Sequence, residues 1–464
     1  METASLLNRI KAPTSKVFRR LLIKRRSATT GLFESTWQDL SRYVKRWGKF
    51  SSSVDTPRYG DVRFDNASIQ VINVDGTFNP NDNADSFWFG YADLQRSLIR
   101  IEAGFTHETL SSGGIWTNTE FPTTTTIFQG ILSGDIFVSS HAELSLPIRP
   151  VTQIFRDYLA RDMRGYTTTG MTAGAWFTRL RDHTDGAGSL VFRPFIGDGT
   201  TTNWSIASGI IDYGIGTTAT GNDIGLNTST SNDIYDLDCG GVSDRISQAE
   251  NSIAFINREG NFLFQKKTAT SSVQFEFYGL GAGPSATRSY GTTIKDISKY
   301  GKRHTAYYSR VAVQFNRDDT STSFVNTQTT YLIDGSNTAW NLGNRTYSIQ
   351  NFFLSNSTNA AVVASSTLTE VSSETEEIHF TTSLITHLNL FDRISVTYDA
   401  TDFVTARSFW DLNDWAADDT STSHDLIWDS SRGDGIVLSA VEFKILSISI
   451  DLDNLETEFI AKKL

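Results

Sequence analysis

Between Phe64 and Gly104 the chain alternates, turns and alternates again, and this pattern limits what can be built around it. Phe64, Ile69, Val71 and Ile72 fall in an extended, period-two pattern. Asn73-Val74-Asp75-Gly76 then supplies a turn, because Gly accepts positive φ and Asp bonds to nearby backbone. Leu98-Ile99-Arg100-Ile101-Glu102-Ala103-Gly104 is a second β-branched run ending in Gly. The stretch predicts an antiparallel β layer with a decorated loop.

A chain of 464 residues exceeds a single core, and about three domains are expected. Hydrophobic content of 39%, with 12% aromatic, is ample for globular cores. Many Gly (34) and few Pro (8) suit a β-rich protein with numerous turns. The single cysteine, Cys239, rules out an intramolecular disulfide and any zinc site with two Cys ligands. No apolar run approaches the length of a bilayer span, so stable membrane insertion is not expected.

Charge is uneven along the chain. The first 50 residues hold 12 Lys and Arg against 3 Asp and Glu, whereas the rest hold 29 against 49. An acidic body argues against general nucleic-acid binding, which needs clustered cations. In the basic start, Val17-Phe18 and Leu21-Leu22-Ile23 interleave with Lys16, Arg19, Arg20, Lys24, Arg25 and Arg26. We read it as a strand or short helix docking on this or a neighbouring subunit; a nucleic-acid or membrane patch and a loose tail are the rival readings. Trp37–Val44 reads as a helical turn or strand edge whose aromatics dock on the first β layer.

The organisation expected in chain order begins with a basic docking segment over 1–50 and a first β domain over 51–150. A mixed α/β connecting region spans 151–293, with a Thr/Gly/Asn-rich insert at 198–239. A second β domain runs over 294–464, with a Trp-bearing polar loop at 410–435. Gly130 interrupts the strand Ile127–Gly134 and marks a bulge or a close backbone approach. Glu108–Thr126, with four consecutive Thr, reads as a loop or exposed hairpin. Helical spacing appears at Val151, Ile154, Phe155, Tyr158 and Leu159, at Trp176, Phe177 and Leu180, and over Asp244–Phe255. Asn257–Asn261 reads as a hairpin turn into Phe262–Phe264, and Glu442–Leu452 is the clearest strand pattern of all.

Catalysis should leave a constellation, and no motif supplies one. HExxH, a Walker glycine loop and a Gly-x-Ser-x-Gly elbow are all missing from the sequence. His379 and His387 are spaced for one strand face but too far apart for one metal. Gly279–Pro284 resembles part of a dinucleotide fingerprint, but Pro284 breaks the helix that should follow. Asp75, Asn79, Asn81, Asp82, Asn83 and Asp85 make an oxygen-rich loop without EF-hand spacing, better read as a solvated turn than a calcium site. Glu374, Glu376, Glu377 and Asp418-Asp419 read as exposed charge. The expectation is a non-enzymatic chain with no catalytic, cofactor-binding or metal residue.

Several segments together resemble one family. They are Trp37–Val44, Ala67–Phe78, Arg96–Ile101, Ile127–Ser133, Ile253–Phe264 and Leu390–Val396. In this order they resemble the baseplate or tail-tip hub proteins of tailed bacteriophages. The resemblance implies a mainly β (β+α) fold with two tail-tube-like antiparallel β-barrel or sandwich domains linked by the mixed middle region. It implies a virion protein without cofactors, working as a homotrimer whose six tube-like domains match a six-fold tail tube. The implied partners are the distal tail protein ring, the end of the tape-measure protein, and a central spike, plug or fibre, with DNA passing unbound through the channel. Two alternatives stay open: a hexameric distal-tail or tube-adaptor ring protein, and a carbohydrate-binding β module or virion-associated glycan hydrolase, for which Trp415 and Trp428 are the aromatic candidates.

Overall fold

The computed structural model describes residues 16–54, 62–78, 86–133, 142–159, 173–206, 238–279, 291–317, 324–331, 346–399 and 436–464, apart from short gaps within these spans. The loop at 410–435, the stretch after Gly279, most of the 198–239 insert and the acidic positions 79–85 lie outside the described residues.

The basic start is a strand, β1 (Lys16–Lys24), and the aromatic segment after it gives β2 (Gln38–Asp39), a 3₁₀ turn at Ser41–Tyr43 and β3 (Val44–Arg46). Next come β4 (Lys49–Val54), β5 (Val62–Phe64), β6 (Ala67–Ile72) and β7 (Leu98–Thr106). A small hairpin of β8 (Glu108–Leu110) and β9 (Trp116–Asn118) precedes β10 (Thr123–Leu132) and β11 (Glu143–Pro150). A hairpin was one of the two readings expected there, the other being a loop. The four threonines are not in its loop, however: they pair with β7, where β-branched side chains suit an extended backbone.

Among the described residues, seven of these strands form a curled antiparallel sheet in the order β2-β1-β7-β10-β11-β6-β3. β1 pairs with β7 along its whole length, from Lys16 opposite Thr106 to Lys24 opposite Leu98. Leu21, Leu22 and Ile23 are buried there. Several of the basic segment's charges form ion pairs within the chain. Arg20 meets Asp39 (3.2 Å) and Glu102 (3.6 Å), Arg25 meets Glu34 (2.5 Å), and Lys45 meets Glu143. Of the two docking targets expected from sequence, β1 takes its own sheet.

The middle of the chain gives α1 (Gln153–Arg156), α2 (Ala173–Asp182), β12 (Trp204–Ile206), α3 (Cys239–Ala249), β13 (Ser252–Ile256) and β14 (Phe262–Lys266). Two helices depart from expectation. The first is a single turn. The third starts earlier than Asp244, where Asp238 caps Gly241 N, and ends before Ile253, which is claimed by pairing with β14.

The remainder gives β15 (Val273–Gly279), β16 (Gly291–Lys302), β17 (Arg310–Arg317), β18 (Phe324–Tyr331) and β19 (Thr346–Gln350). A helix the sequence reading missed, α4 (Ser357–Val371), comes next, then β20 (Glu376–Ser383), β21 (Arg393–Asp399), β22 (Val437–Asp451) and β23 (Glu456–Lys463). Strands β21-β15-β16-β20-β23-β22 close into a barrel because β22 also pairs with β21. Within it β15 runs parallel to both neighbours. β22 is forked: Val437–Lys444 pairs with β21, whereas Ser447–Asp451 pairs with β4, and the register shifts on its β23 side between Ile445 and Ser447. The mainly β architecture with a helical and β middle is therefore present as a curled sheet and a closed barrel.

Pairing crosses the linear bounds expected from sequence. β4 and β5 extend the barrel's sheet, β15 enters the barrel from the connecting region, and β1 belongs to the curled sheet. One hydrophobic core joins sheet and barrel, with Ile99, Ile101, Phe128 and Leu146 from one and Phe277, Phe380, Phe443 and Phe459 from the other. A second core gathers α1 to α3, β14, β17 and α4. On the barrel, Lys444 of β22 and Lys462 of β23 stand directly opposite each other. Burial holds both amines below the usual lysine range, and Glu370 at the end of α4 partly offsets this.

Candidate functional site

The hairpin β13–β14 sits between sheet and barrel, and its tip is hydrogen-bonded toward both. Asn257 and Gly260 form the turn: Asn257 N donates to Asn261 O (2.8 Å), Gly260 N to Asn257 O (2.9 Å) and Asn261 N to Asn257 Oδ1 (2.9 Å). Gly260 sits at φ +83°, the left-handed region that glycine tolerates. A Cβ there would lie 2.4 Å from Gln129 Cδ, so only glycine lets the tip approach β10.

On the sheet side, Gln129 is a buried amide with its bonds in place. Its Nε2 donates to Phe195 O (3.2 Å) and Gly197 O (3.4 Å), while Arg100 Nε and Nη2 donate to its Oε1 (3.2 and 3.1 Å). Gly197 N reaches across to Gly260 O (2.8 Å). Arg100 also binds Asp198 (3.2 Å) and lies 4.4 Å over the Trp37 ring.

On the barrel side, Arg258 Nε donates to Asn389 Oδ1 (3.0 Å), and Asn389 N donates to Asp392 Oδ2 (2.7 Å). Phe391, at φ +69°, and Asp392 bond into β22 through Phe391 N to Ile445 O (2.9 Å) and Ile445 N to Asp392 O (3.0 Å). The His387 ring stands edge-on to Phe275 at 4.9 Å, with both ring nitrogens out of reach of solvent. Burial, aided by the Arg258 charge, pushes the His387 pKa down to about 3. Burial pushes the Asp392 carboxyl up to about 6, against the Asn389 hydrogen bond and Arg258. A cavity of about 370 Å³ lies under the hairpin, lined by Phe64, Phe255, Arg258, Leu263, Asn389 and Asp392.

A second tie lies where the chain passes from sheet to barrel, between β3 and β4. Trp47 N and Gly48 N both donate to the Asp453 carboxylate (3.0 Å each), and Leu452 N donates to Gly48 O (3.2 Å). Arg19 Nη1 of β1 reaches Leu452 O at 2.6 Å and stacks over Trp47. The turn between β22 and β23 thus grips the crossing.

The chemically suggestive residues do not converge there. His379 lies on β20, whereas His387 lies beyond the strand's end, so the two do not share a strand face. Glu377 is buried and stands 3.6 Å from His379, correcting the expectation of exposed charge; it lies opposite Lys462 of β23. Glu376 is half-buried, accepting from Tyr300 Oη (2.8 Å) and Lys463 Nζ (2.6 Å). Asp75 accepts from Thr77 N in a local turn. Cys239 is buried at the start of α3. Among the described residues, no group of three or more His, Cys, Asp and Glu side chains is placed to hold a metal ion. What the arrangement does is fasten: its polar groups are spent on joining two β bodies.

No protein-family model and no curated protein matches the chain. Among solved structures it is similar to the tail protein from Neisseria meningitidis MC58, at 12% identity over 96% of each chain with a TM-score of 0.47. It is also similar to the 43 kDa tail protein of prophage MuSo2 from Shewanella oneidensis (11% identity, 96% of this chain and 98% of that one, TM-score 0.45). A third is the prophage tail protein gp18 from Listeria monocytogenes EGD-e (8% identity, 96% and 94%, TM-score 0.44).

Five of the six segments singled out in the sequence meet at the hairpin. Trp37, Arg100, Gln129, Arg258–Gly260 and Asp392 each come from a different one. The sequence shows Asn257–Asn261 as a hairpin turn and Trp37–Val44 as a docking element, but it does not show that they meet Arg100, Gln129 and Asp392, because none of these residues carries reactive chemistry that would group them.

Proposed function

We propose that the chain is a structural protein of a phage tail tip, a hub subunit that assembles as a trimer in the virion and helps to wall the channel through which DNA leaves. The observation that carries this reading is the tied pair of β bodies. The segments that resemble hub proteins in sequence build the joint between them, where a ring subunit must transmit load without shearing. Three copies would set six β bodies around one axis, matching a six-fold tube to a three-fold tip. The acidic body suits a wall along which DNA slides without being held. The partners proposed are the distal tail ring, the end of the tape-measure protein and a central spike, plug or fibre.

Native mass spectrometry of the purified assembly tests this. A particle near three times 51.5 kDa is expected. A hexamer would favour a distal-tail or tube-adaptor ring, and a stable monomer with saturable glycan binding would favour a carbohydrate-binding module.

A further inference from the structure

Strand alternation gives the β13–β14 hairpin two faces. Ile256, Phe262 and Phe264 enter the second core, whereas Phe255, Leu263 and Gln265 line the cavity beneath the hairpin, with Phe255 opposite Leu263. The loop between β20 and β21 supplies Asn389, Phe391 and Asp392 to the same lining. At about 370 Å³ the cavity falls within the range of about 300–1,000 Å³ that small-molecule sites occupy.

Most polar groups at the hairpin fasten sheet to barrel, but two in this lining have capacity left. Asn389 accepts from Arg258 through Oδ1, and its Nδ2 makes no hydrogen bond among the described residues. The Gln265 amide makes none there either, although it shares its face with Phe255 and Leu263. Both amides therefore offer N–H donors to the cavity. Two cations join them: Arg258, only 7% exposed, and the half-buried Lys266, whose Nζ also donates to Glu250 O at 2.6 Å. The lining holds one acid, Asp392, whose Oδ2 already accepts from Asn389 N and whose ionised form burial disfavours. Glu259 lies outside the lining and accepts from Asn261 Nδ2 at 3.3 Å. Positive charge and spare donors thus prevail, beside an apolar wall of Phe64, Phe255, Leu263 and Ile448.

We propose that this cavity is a binding site for a small organic anion, a carboxylate carried on an apolar body. The carboxylate lies against Arg258 and the two amides, where charge-assisted hydrogen bonds form away from bulk water. The apolar body covers Phe64 and Phe255. Because hairpin and barrel loop both contribute to the lining, an occupant braces the joint between them.

Calorimetric titration of the full-length protein with 3-phenylpropionate, and with its neutral amide, tests the site. The acid should bind at least about tenfold tighter than the amide, since only the acid makes charge-assisted bonds. Hydrogen exchange locates it: bound acid should raise protection at Asn257–Asn261 and Asn389–Asp392. Gln265→Leu removes an amide that bonds nothing else in the described structure, so acid binding should weaken about tenfold while the urea midpoint is kept. Asp392→Asn keeps an acceptor for Asn389 N and removes the competing charge, so the acid should bind about threefold tighter. Affinities that fall in the first variant and rise in the second establish the site. Absence of saturable binding, equal binding of acid and amide, or affinities that do not move in opposite directions overturn it.

Discussion

Gly48 shows how much one residue without a side chain can decide. It lies at φ +80° at the crossing from sheet to barrel, and a Cβ would stand 2.8 Å from Ser68 O. Backbone cannot swing aside as a flexible side chain does, so Gly48→Ala combines left-handed strain with a steric clash. We expect a loss of about 2–4 kcal/mol, read as a lower urea midpoint at unchanged slope. Gly260→Ala meets Gln129, whose end is held by Arg100 and two carbonyls, so a comparable loss is expected, relieved in part by Gln129→Ala. At this scale the sequence was partly legible. Gly130 announced a close approach, and a Cβ there would meet Ile148 and Phe128 at 2.5 Å. Gly48 gave no such warning, because its partner Ser68 is brought near only by the pairing of β3 with β6. Glu377 was misread for the same reason: a carboxylate in an alternating strand reads as solvated unless the element covering it is known.

Among the elements, alternation was a dependable guide and connectivity was not. Glu442–Leu452 read as a strand and is one, but nothing in its pattern tells that its two halves serve different partners. The fork follows from β4 arriving from the N-terminal side of the chain, a long-range pairing that local residues do not encode. α4 escaped because Ser, Thr and Val suit strands, although Ala360, Val363, Ala364, Thr367, Leu368 and Val371 keep helical spacing and are buried. The turn between β22 and β23 is the element whose removal should be felt farthest away. Asp453→Ala strips acceptors from Trp47 N and Gly48 N, more than 400 positions earlier. A loss of about 1–3 kcal/mol is expected, because the two donors are left without their charged acceptor. Faster hydrogen exchange at Trp47 and Gly48, with β7 and β10 unchanged, would check that the effect begins at the crossing.

For the whole molecule, the linear reading implied β domains with separable cores, whereas sheet and barrel share one. Phe50 of β4 lies against Phe128 of β10 at 5.3 Å, and the buried side chains of both bodies form a continuous cluster. A core that belongs to two bodies should couple their unfolding, because opening one strips apolar cover from the other. Phe128→Ala tests this directly. It removes a fully buried ring beneath the joint and should lower stability by about 3–5 kcal/mol. In a coupled molecule that loss moves the curled sheet and the barrel together: amides of β10 and of β22 should lose protection at the same, lower denaturant concentration. If β22 stays protected after β10 has opened, the two bodies are independent domains and the joint only tethers them. Coincident loss is expected, since strands β4 and β5 are covalently continuous with the curled sheet yet hydrogen-bonded into the barrel's, so neither sheet can leave intact.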